Sequence, residues 1–181
     1  LCRLATPASF VLPAPSVPRG AGRSARGGGG AMPRKPRGFS AREQGRARAA
    51  TRLKAAKEAG VSSIVDLTPI DLGRDVTLIG EASRRSGVNI IAATGIYYTE
   101  HPFHFQIRED KEMSDLFVKD ITQGVSTTGI RAGVIKCATE PTMHAMNERV
   151  LRASARAAKE TGVPICTHTF PANRTGLDQQ R

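Results

Sequence analysis

A unit made of a helix, a Gly-Val dipeptide and a short apolar strand recurs along this chain, and it restricts the fold more than any other feature. The dipeptide stands at 60–61, 87–88 and 162–163. Each copy follows a segment of good helix formers or of apolar residues at helical spacing, and each precedes a short run with strand character. Alternation of helices and strands in this way predicts a parallel sheet with right-handed crossovers.

The predicted sheet has four strands. They are Ile64–Thr68, Asn89–Gly95, Ala132–Thr139 and Pro164–Phe170, and the predicted helices are Ala41–Ala59, Asp75–Ser86, Lys111–Val125 and Met146–Thr161. A closed (β/α)8 barrel needs eight strands and typically about 250 residues. The predicted fold class is therefore α/β, a partial (β/α)8 TIM barrel. An open doubly wound sheet is the alternative, but no G-x-G-x-x-G sequence follows a strand, so a dinucleotide site lacks support.

The positive charge of the chain is concentrated at its N-terminal end. Residues 1–57 hold 13 Lys and Arg and one acid, whereas residues 58–181 carry a net charge of −1. Residues 1–40 are rich in Pro, Gly, Ala and Arg, a composition that buries too little apolar surface to fold. We predict a disordered tail at 1–40 and a barrel domain at 41–181.

Three uses of the tail remain open. A nucleic-acid-binding arm would exploit its charge, but only Phe10 and Phe39 are available for base stacking. A targeting peptide is disfavoured because prolines interrupt the apolar start. The segment is otherwise inert, or it is not native coding sequence, since the first Met is Met32.

Cysteine and apolar content exclude two further classes of protein. Cys2, Cys137 and Cys166 are too few and too scattered for a disulfide framework or a zinc finger, and they fit the reduced thiols of a cytoplasmic protein. No apolar run approaches the roughly 20 residues of a membrane helix.

Lys136 is a charge in the middle of the apolar strand Ala132–Thr139, and a buried Lys is rare unless it is paired or chemically used. Because side chains alternate along a strand, Lys136 and His168 can both point to the inner face of the sheet. Each residue alone has an ordinary explanation, a snorkelling Lys or a hydrogen-bonded core His. Together they indicate a site.

Catalytic groups of a barrel lie at the carboxyl ends of its strands. The other candidates at such ends are Asp66, Thr68, Tyr97 and Tyr98. For the remaining polar residues we expect structural roles. They are His101 and His104 in a loop, where Pro102 disfavours a zinc site, His144 at the surface, Arg174 and Gln179 in the connection after the last strand, and Cys137 and Cys166 as core fillers. For Asp66 too, a structural carboxylate at a strand end is favoured over a ligand-orienting role.

Five segments together resemble the phosphotriesterase family, in particular its phosphotriesterase-like lactonase branch within the amidohydrolase superfamily. They are VDLTPIDLGRD (65–75), NIIAATGIYY (89–98), TGIRAGVIKCAT (128–139), TGVPICTHTF (161–170) and RTGLDQQ (174–180). The resemblance runs from about residue 46 to residue 181, in the order and spacing of the family.

This resemblance implies that the chain supplies about strands 2–5 of the barrel of a metal-dependent hydrolase with two divalent metals, usually zinc. It implies that Lys136 is carboxylated by CO2 to a carbamate that bridges both metals, that His168 ligates one metal, and that Tyr97 lies beside the metal-bound hydroxide. The hydroxide attacks a phosphotriester or a lactone. The implied partners are a small-molecule ester, lactone or organophosphate substrate and, for the complete enzyme, a second copy in a homodimer.

The sequence departs from the family pattern at the remaining metal ligands. The resemblance implies a His-x-His pair on strand one, a His on strand six and an Asp on strand eight, yet no His precedes His101. We therefore expect a fragment that does not hold a binuclear centre by itself. A non-catalytic remnant and a nucleic-acid-binding protein that uses the basic arm are the alternatives.

Overall fold

The computed structural model describes residues 41–97 and 109–180 of the chain. The predicted disordered segment at 1–40 lies outside the described residues, as do Tyr98, His101 and His104.

Helices and strands alternate as predicted. In chain order they are α1 (Ala41–Glu58), β1 (Ser63–Asp66), α2 (Val76–Ser86), β2 (Asn89–Thr94), α3 (Asp110–Thr122), β3 (Ala132–Ala138), α4 (Ala145–Thr161), β4 (Ile165–His168) and α5 (Thr175–Asp178). Two short 3-10 helices, Ile70–Leu72 and Pro171–Asn173, follow β1 and β4.

Local side-chain hydrogen bonds set the ends of several elements. The Asp66 carboxylate accepts hydrogen bonds from the backbone N and the hydroxyl of Thr68, at 3.0 and 2.5 Å, so β1 ends two residues earlier than predicted because a turn replaces strand pairing. Asp75 caps α2 by accepting from the backbone N of Leu78 at 2.9 Å. Capping of this kind satisfies amides that have no partner inside the helix.

The four strands form one parallel sheet in the order β1-β2-β3-β4. Every neighbouring pair in the sheet is parallel, and each crossover contains a helix. This is the arrangement of a partial (β/α)8 barrel, as the sequence predicts.

The two faces of the sheet differ in how well they are covered. On the helix side, a buried core cluster joins residues of β3, α3 and α4 with Ile96, which follows β2. Its other members are Met113, Phe117, Ile121, Ala132, Ile135, Cys137, Val150, Ala153 and Ala157. On the other face, Val65 and Ile91 remain 48% and 40% exposed. We call this second side the inner face.

Among the described residues, none of the helices has the length and apolar character needed to cross a membrane.

Candidate active site

β3 changes the side of the sheet that its side chains face, and the change occurs at Gly133. Ala132 and Ile135 both belong to the helix-side core, although strict alternation would put residues three apart on opposite faces. The pairing of β2 with β3 shifts by one residue here, between Ala92 and Ala93. The extra residue at Gly133 is a β-bulge, a feature that redirects the side chains that follow it.

The bulge places Lys136 on the inner face. Without it, Lys136 would share the face of Ala132 and would point into the helix-side core. In the sheet Lys136 pairs with Cys166, and Ala138 pairs with His168. Because paired residues of neighbouring parallel strands point the same way, Lys136 and His168 lie on one face.

The Lys136 side chain is buried, since the residue is only 7% exposed. Its amine lies 5.5 Å from the centre of the Tyr97 ring, within the range of a cation–π contact. Within residues 41–97 and 109–180, no hydrogen bond or ion pair reaches this amine. A buried ammonium without an anionic partner is unusual, because the loss of hydration is then not offset.

Tyr97 lies between the two other predicted site residues. Its ring centre is 5.8 Å from that of His168, with the planes tilted by 45°. His168 also contacts Phe170 edge-on, at 6.0 Å between ring centres. The imidazole is exposed, whereas Tyr97 is half-buried. The structure therefore brings Lys136, Tyr97 and His168 together at the carboxyl edge of the sheet.

Backbone contacts fix the segment that carries Tyr97. Gly95 has φ +110°, and a Cβ at this position would lie 2.1 Å from the carbonyl oxygen of Lys136, so only glycine permits this close approach. The Tyr97 carbonyl accepts from the backbone N of Ala138 at 3.0 Å. The Tyr97 amide donates to the Asp71 carboxylate, at 2.8 and 2.9 Å to its two oxygens.

Gln179 links the ends of β3 and β4. Its side-chain amide donates to the hydroxyls of Thr139 and Thr167, each at 2.9 Å, and to the carbonyl of His168 at 3.4 Å. Thr175 extends this link, because its hydroxyl accepts from the backbone N of Phe170 at 2.8 Å. The strand ends that carry Lys136 and His168 are thus tied together beyond the sheet itself.

The remaining candidates lie apart from this group. Asp66 and Thr68 bond to each other at the end of β1. His144 is exposed at the start of α4, and its backbone N donates to the Asn147 side chain at 3.2 Å. Arg174 is exposed, with φ 55°.

Cys137 lies on the helix side of β3 and is buried in the core cluster. Burial raises the pKa of the Cys137 thiol, and hydrogen bonding to Thr167 and Ser154 opposes that rise only in part. A thiol held neutral in this way is a weak nucleophile and a weak metal ligand.

The arrangement fits two of the metal ligands that the resemblance implies. A protonated amine has no lone pair with which to ligate a cation. Its N-carboxylate offers two oxygens and a negative charge, and no such anionic group lies beside Lys136 among the described residues. His168 adds an exposed imidazole. In the part of the chain that the structure describes, no three His, Cys, Asp or Glu residues cluster as a metal site would require.

Residues 32–181 match the model of the phosphotriesterase family. The chain belongs to the phosphotriesterase family. A phosphotriesterase homology protein of Mycobacterium tuberculosis is 48% identical over 142 residues, which cover 74% of this chain and 44% of that protein. An aryldialkylphosphatase of Saccharolobus solfataricus is 44% identical over 135 residues, covering 74% and 43%. A phosphotriesterase homology protein of Escherichia coli is 32% identical over 123 residues, covering 66% and 42%.

The chain thus spans less than half the length of these phosphotriesterase-family relatives.

Two residues shape the candidate site in ways that the sequence analysis did not predict. Asp71 stands inside a segment that carries the resemblance, but its contact with Tyr97 spans 26 positions and leaves no local pattern. Gly133 gave a signal, since a glycine inside a strand often marks a bulge.

Proposed function

We propose that this chain contributes part of the active site of a metal-dependent hydrolase that acts on a phosphotriester or a lactone. The observation that supports the proposal most strongly is the buried amine of Lys136, which faces Tyr97 and has no anionic partner among the described residues. Membership of the phosphotriesterase family supports the same class of chemistry. The aryldialkylphosphatase relative favours a phosphorus ester as the first substrate to try.

Lys136 would act after it is carboxylated. The ammonium first releases one proton to water. The neutral amine nitrogen then forms a bond to the carbon of CO2, one C=O bond opens to an anionic oxygen, and the nitrogen releases a second proton. An anionic, oxygen-bearing carbamate thus replaces the buried cation. Those oxygens are hard donors suited to a divalent metal. The proposal gives Lys136 the role of a bridging ligand.

His168 and Tyr97 would act beside Lys136. His168 would supply one imidazole nitrogen to a metal, and its exposure leaves a side open to substrate. Tyr97 would cover the Lys136 amine and exclude water from it, with its ring against His168. Two divalent metals, zinc by family, would lower the pKa of a coordinated water and polarise the P=O or C=O bond of the substrate.

Location and assembly belong to the same proposal. The free thiols of Cys137 and Cys166 support a cytoplasmic location. Homodimerisation, which the family resemblance implies for a complete enzyme, is part of the same proposal.

Carboxylation of Lys136 is tested where all metal ligands are present, in a chimera in which residues 41–181 replace the matching segment of the Saccharolobus aryldialkylphosphatase. The chimera is incubated with Zn2+ and 13C-labelled bicarbonate, and a carbamate carbon is sought by 13C NMR. We expect one carbamate signal that is absent from Lys136→Met. Lys111→Met is the matched control, because Lys111 is an exposed lysine paired with Asp115, and the signal should survive in that variant.

Activity requires a complete set of ligands, so it is tested in the same chimera. Hydrolysis of an aryl phosphotriester and of a lactone is measured. Lys136→Met should lower kcat/KM of the chimera by at least about 100-fold. Loss of a residue that only hydrogen-bonds to a metal ligand costs up to about 100-fold, and loss of a ligand itself should cost no less. A folded chimera that keeps full activity with Met at 136, or a folded, zinc-loaded chimera without the carbamate signal, would refute the proposal.

A further inference from the structure

The side chain that accepts hydrogen bonds from the Tyr97 amide lies on a different strand connection. Asp71 belongs to the 3-10 helix Ile70–Leu72, directly after β1, whereas Tyr97 follows β2. The two connections are also joined by the backbone, because the amide of Ile70 donates to the carbonyl of Gly95 at 3.1 Å. A side chain of the first connection can therefore control the second.

The contact between Asp71 and Tyr97 is strong. Both carboxylate oxygens lie within hydrogen-bond distance of the Tyr97 amide, at 2.8 and 2.9 Å. A hydrogen bond to an ionised acceptor is roughly twice as strong as one between neutral groups. Asp71 is half-buried, so solvent weakens the contact less than it would at the surface.

The opposite side of Tyr97 is held by β3. Its carbonyl accepts from Ala138, and Gly95 packs against the Lys136 carbonyl. The Asp71 carboxylate is the side chain that completes this set of backbone contacts. With both its amide and its carbonyl fixed, Tyr97 directs its ring over the Lys136 amine and against His168.

We propose that Asp71 is a positioning residue of this site, which holds the Tyr97 ring in place through the Tyr97 backbone. The inference rests on the proposed function in one respect, because the proposed function places the Tyr97 ring beside the reacting atoms. Asp71 itself touches neither a metal ligand nor the substrate in this scheme. Asp71 affects the reaction only through the position of the Tyr97 backbone.

Tyrosine fluorescence tests this role without metal or substrate. The full chain has two tyrosines and no tryptophan, so Tyr98→Phe leaves Tyr97 as the single emitter. In that background Asp71→Ala should raise quenching of the Tyr97 emission by acrylamide roughly twofold, because the released segment opens to solvent. Asp71→Asn keeps an acceptor oxygen and should restore most of the protection.

Asp75→Ala is the matched control. It removes an aspartate of the same connection that also accepts from a backbone amide, at the start of α2, and its stability loss should be similar. Its quenching should stay at the value of the Tyr98→Phe parent. Equal quenching in Asp71→Ala and Asp75→Ala would overturn the inference. If Asp71→Ala fails to fold, Asp71→Leu takes its place, because it removes the acceptor and keeps the bulk of the side chain. Quenching in Asp71→Leu equal to that in Asp75→Ala would likewise overturn the inference.

Kinetics in the chimera separate this inference from the proposed function. Asp71→Ala should lower kcat on the order of tenfold with little change in KM, because a misplaced group costs rate rather than binding, and Asp71→Asn should recover most of it. A displaced ring with unchanged kcat would overturn the inference while the proposed function stands. An inactive chimera would count against the proposed function, and the quenching series would still decide the role of Asp71.

Discussion

Arg74 and Lys136 are both cationic and both buried, on opposite sides of the same sheet. The Arg74 side chain is 8% exposed and donates to Asp120 at 2.8 Å and to the Ala93 carbonyl at 2.9 Å. Thr94 donates to the same Asp120 oxygen at 2.8 Å. Lys136, a buried residue, meets an aromatic ring instead of a carboxylate.

The two buried cations differ in whether the fold alone explains their burial. The guanidinium of Arg74 has hydrogen bonds and a counter-ion, so its burial is explained by the fold alone. The amine of Lys136 has no such explanation within the described residues. In this chain the buried cation on the helix side stabilises the fold, whereas the buried amine on the inner face has no anionic partner among the described residues.

The largest expected effect comes from the paired cation. Asp120→Ala leaves the Arg74 guanidinium buried without its counter-ion, which should lower the free energy of unfolding by about 3–5 kcal/mol, measured by urea denaturation. The control is Glu148→Ala, which breaks the exposed pair with Arg152 on α4. It should change the free energy of unfolding by less than about 1 kcal/mol. Equal effects of the two variants would mean that the buried pair contributes no more than a surface pair.

The unpaired cation should behave in the opposite way. Lys136→Met replaces a buried charge by an apolar side chain of similar length, so the free energy of unfolding should rise by about 1–2 kcal/mol. The measurement is urea denaturation without added metal or bicarbonate. A decrease as large as that of Asp120→Ala would show that Lys136 has an anionic partner, and the contrast between the two cations would then be wrong.

The bulge that directs Lys136 to the inner face can be tested next. A Cβ at Gly133 would lie 2.7 Å from Cγ2 of Ile91. Because Ile91 is 40% exposed and can shift, Gly133→Ala should cost only about 1 kcal/mol, the low end for overpacking. Adding Ile91→Ala should cancel part of that cost.

Gly45→Ala serves as the comparison for this variant. Gly45 lies inside α1 with open space at its Cβ position, so the same change should stabilise the chain, as alanine does in a helix. A Gly133→Ala variant that is also stabilised would remove the steric argument for glycine in the bulge.

This bulge marks the limit of what the sequence could predict. The alternation of helices and strands, and the edges of most elements, follow from local patterns, because apolar periodicity and Gly-Val turns act within a few residues. The shared face of Lys136 and His168 was also predicted from alternation. Alternation within β3 alone, however, cannot fix which face that is, since an extra residue at Gly133 reverses it.

Asp71 was missed for a related physical reason. Its carboxylate bonds to an amide 26 positions away, and such a contact depends on how two connections meet at the sheet edge. Gln179 was predicted only to stabilise its own connection, whereas its amide reaches Thr139, 40 positions away on the end of β3. Contacts between strand ends require the assembled sheet, so patterns along the chain do not reveal them.

The smallest expected effect concerns the helix side of β3 and its dependence on pH. Burial raises the pKa of the Cys137 thiol above its reference value of 9.0, so the folded state keeps a proton that the unfolded state releases. The stabilisation that this provides is complete below pH 9.0 and is lost as the pH rises towards the pKa of the thiol in the folded state. Half a pH unit above 9.0 the loss is at most about 0.8 kcal/mol. Cys137→Ala should therefore flatten the fall in the free energy of unfolding at alkaline pH. Cys166→Ala, on the inner face, is the control and should leave that fall in place. The same slope in both variants would show that Cys137 ionises as freely in the folded protein as in the unfolded chain.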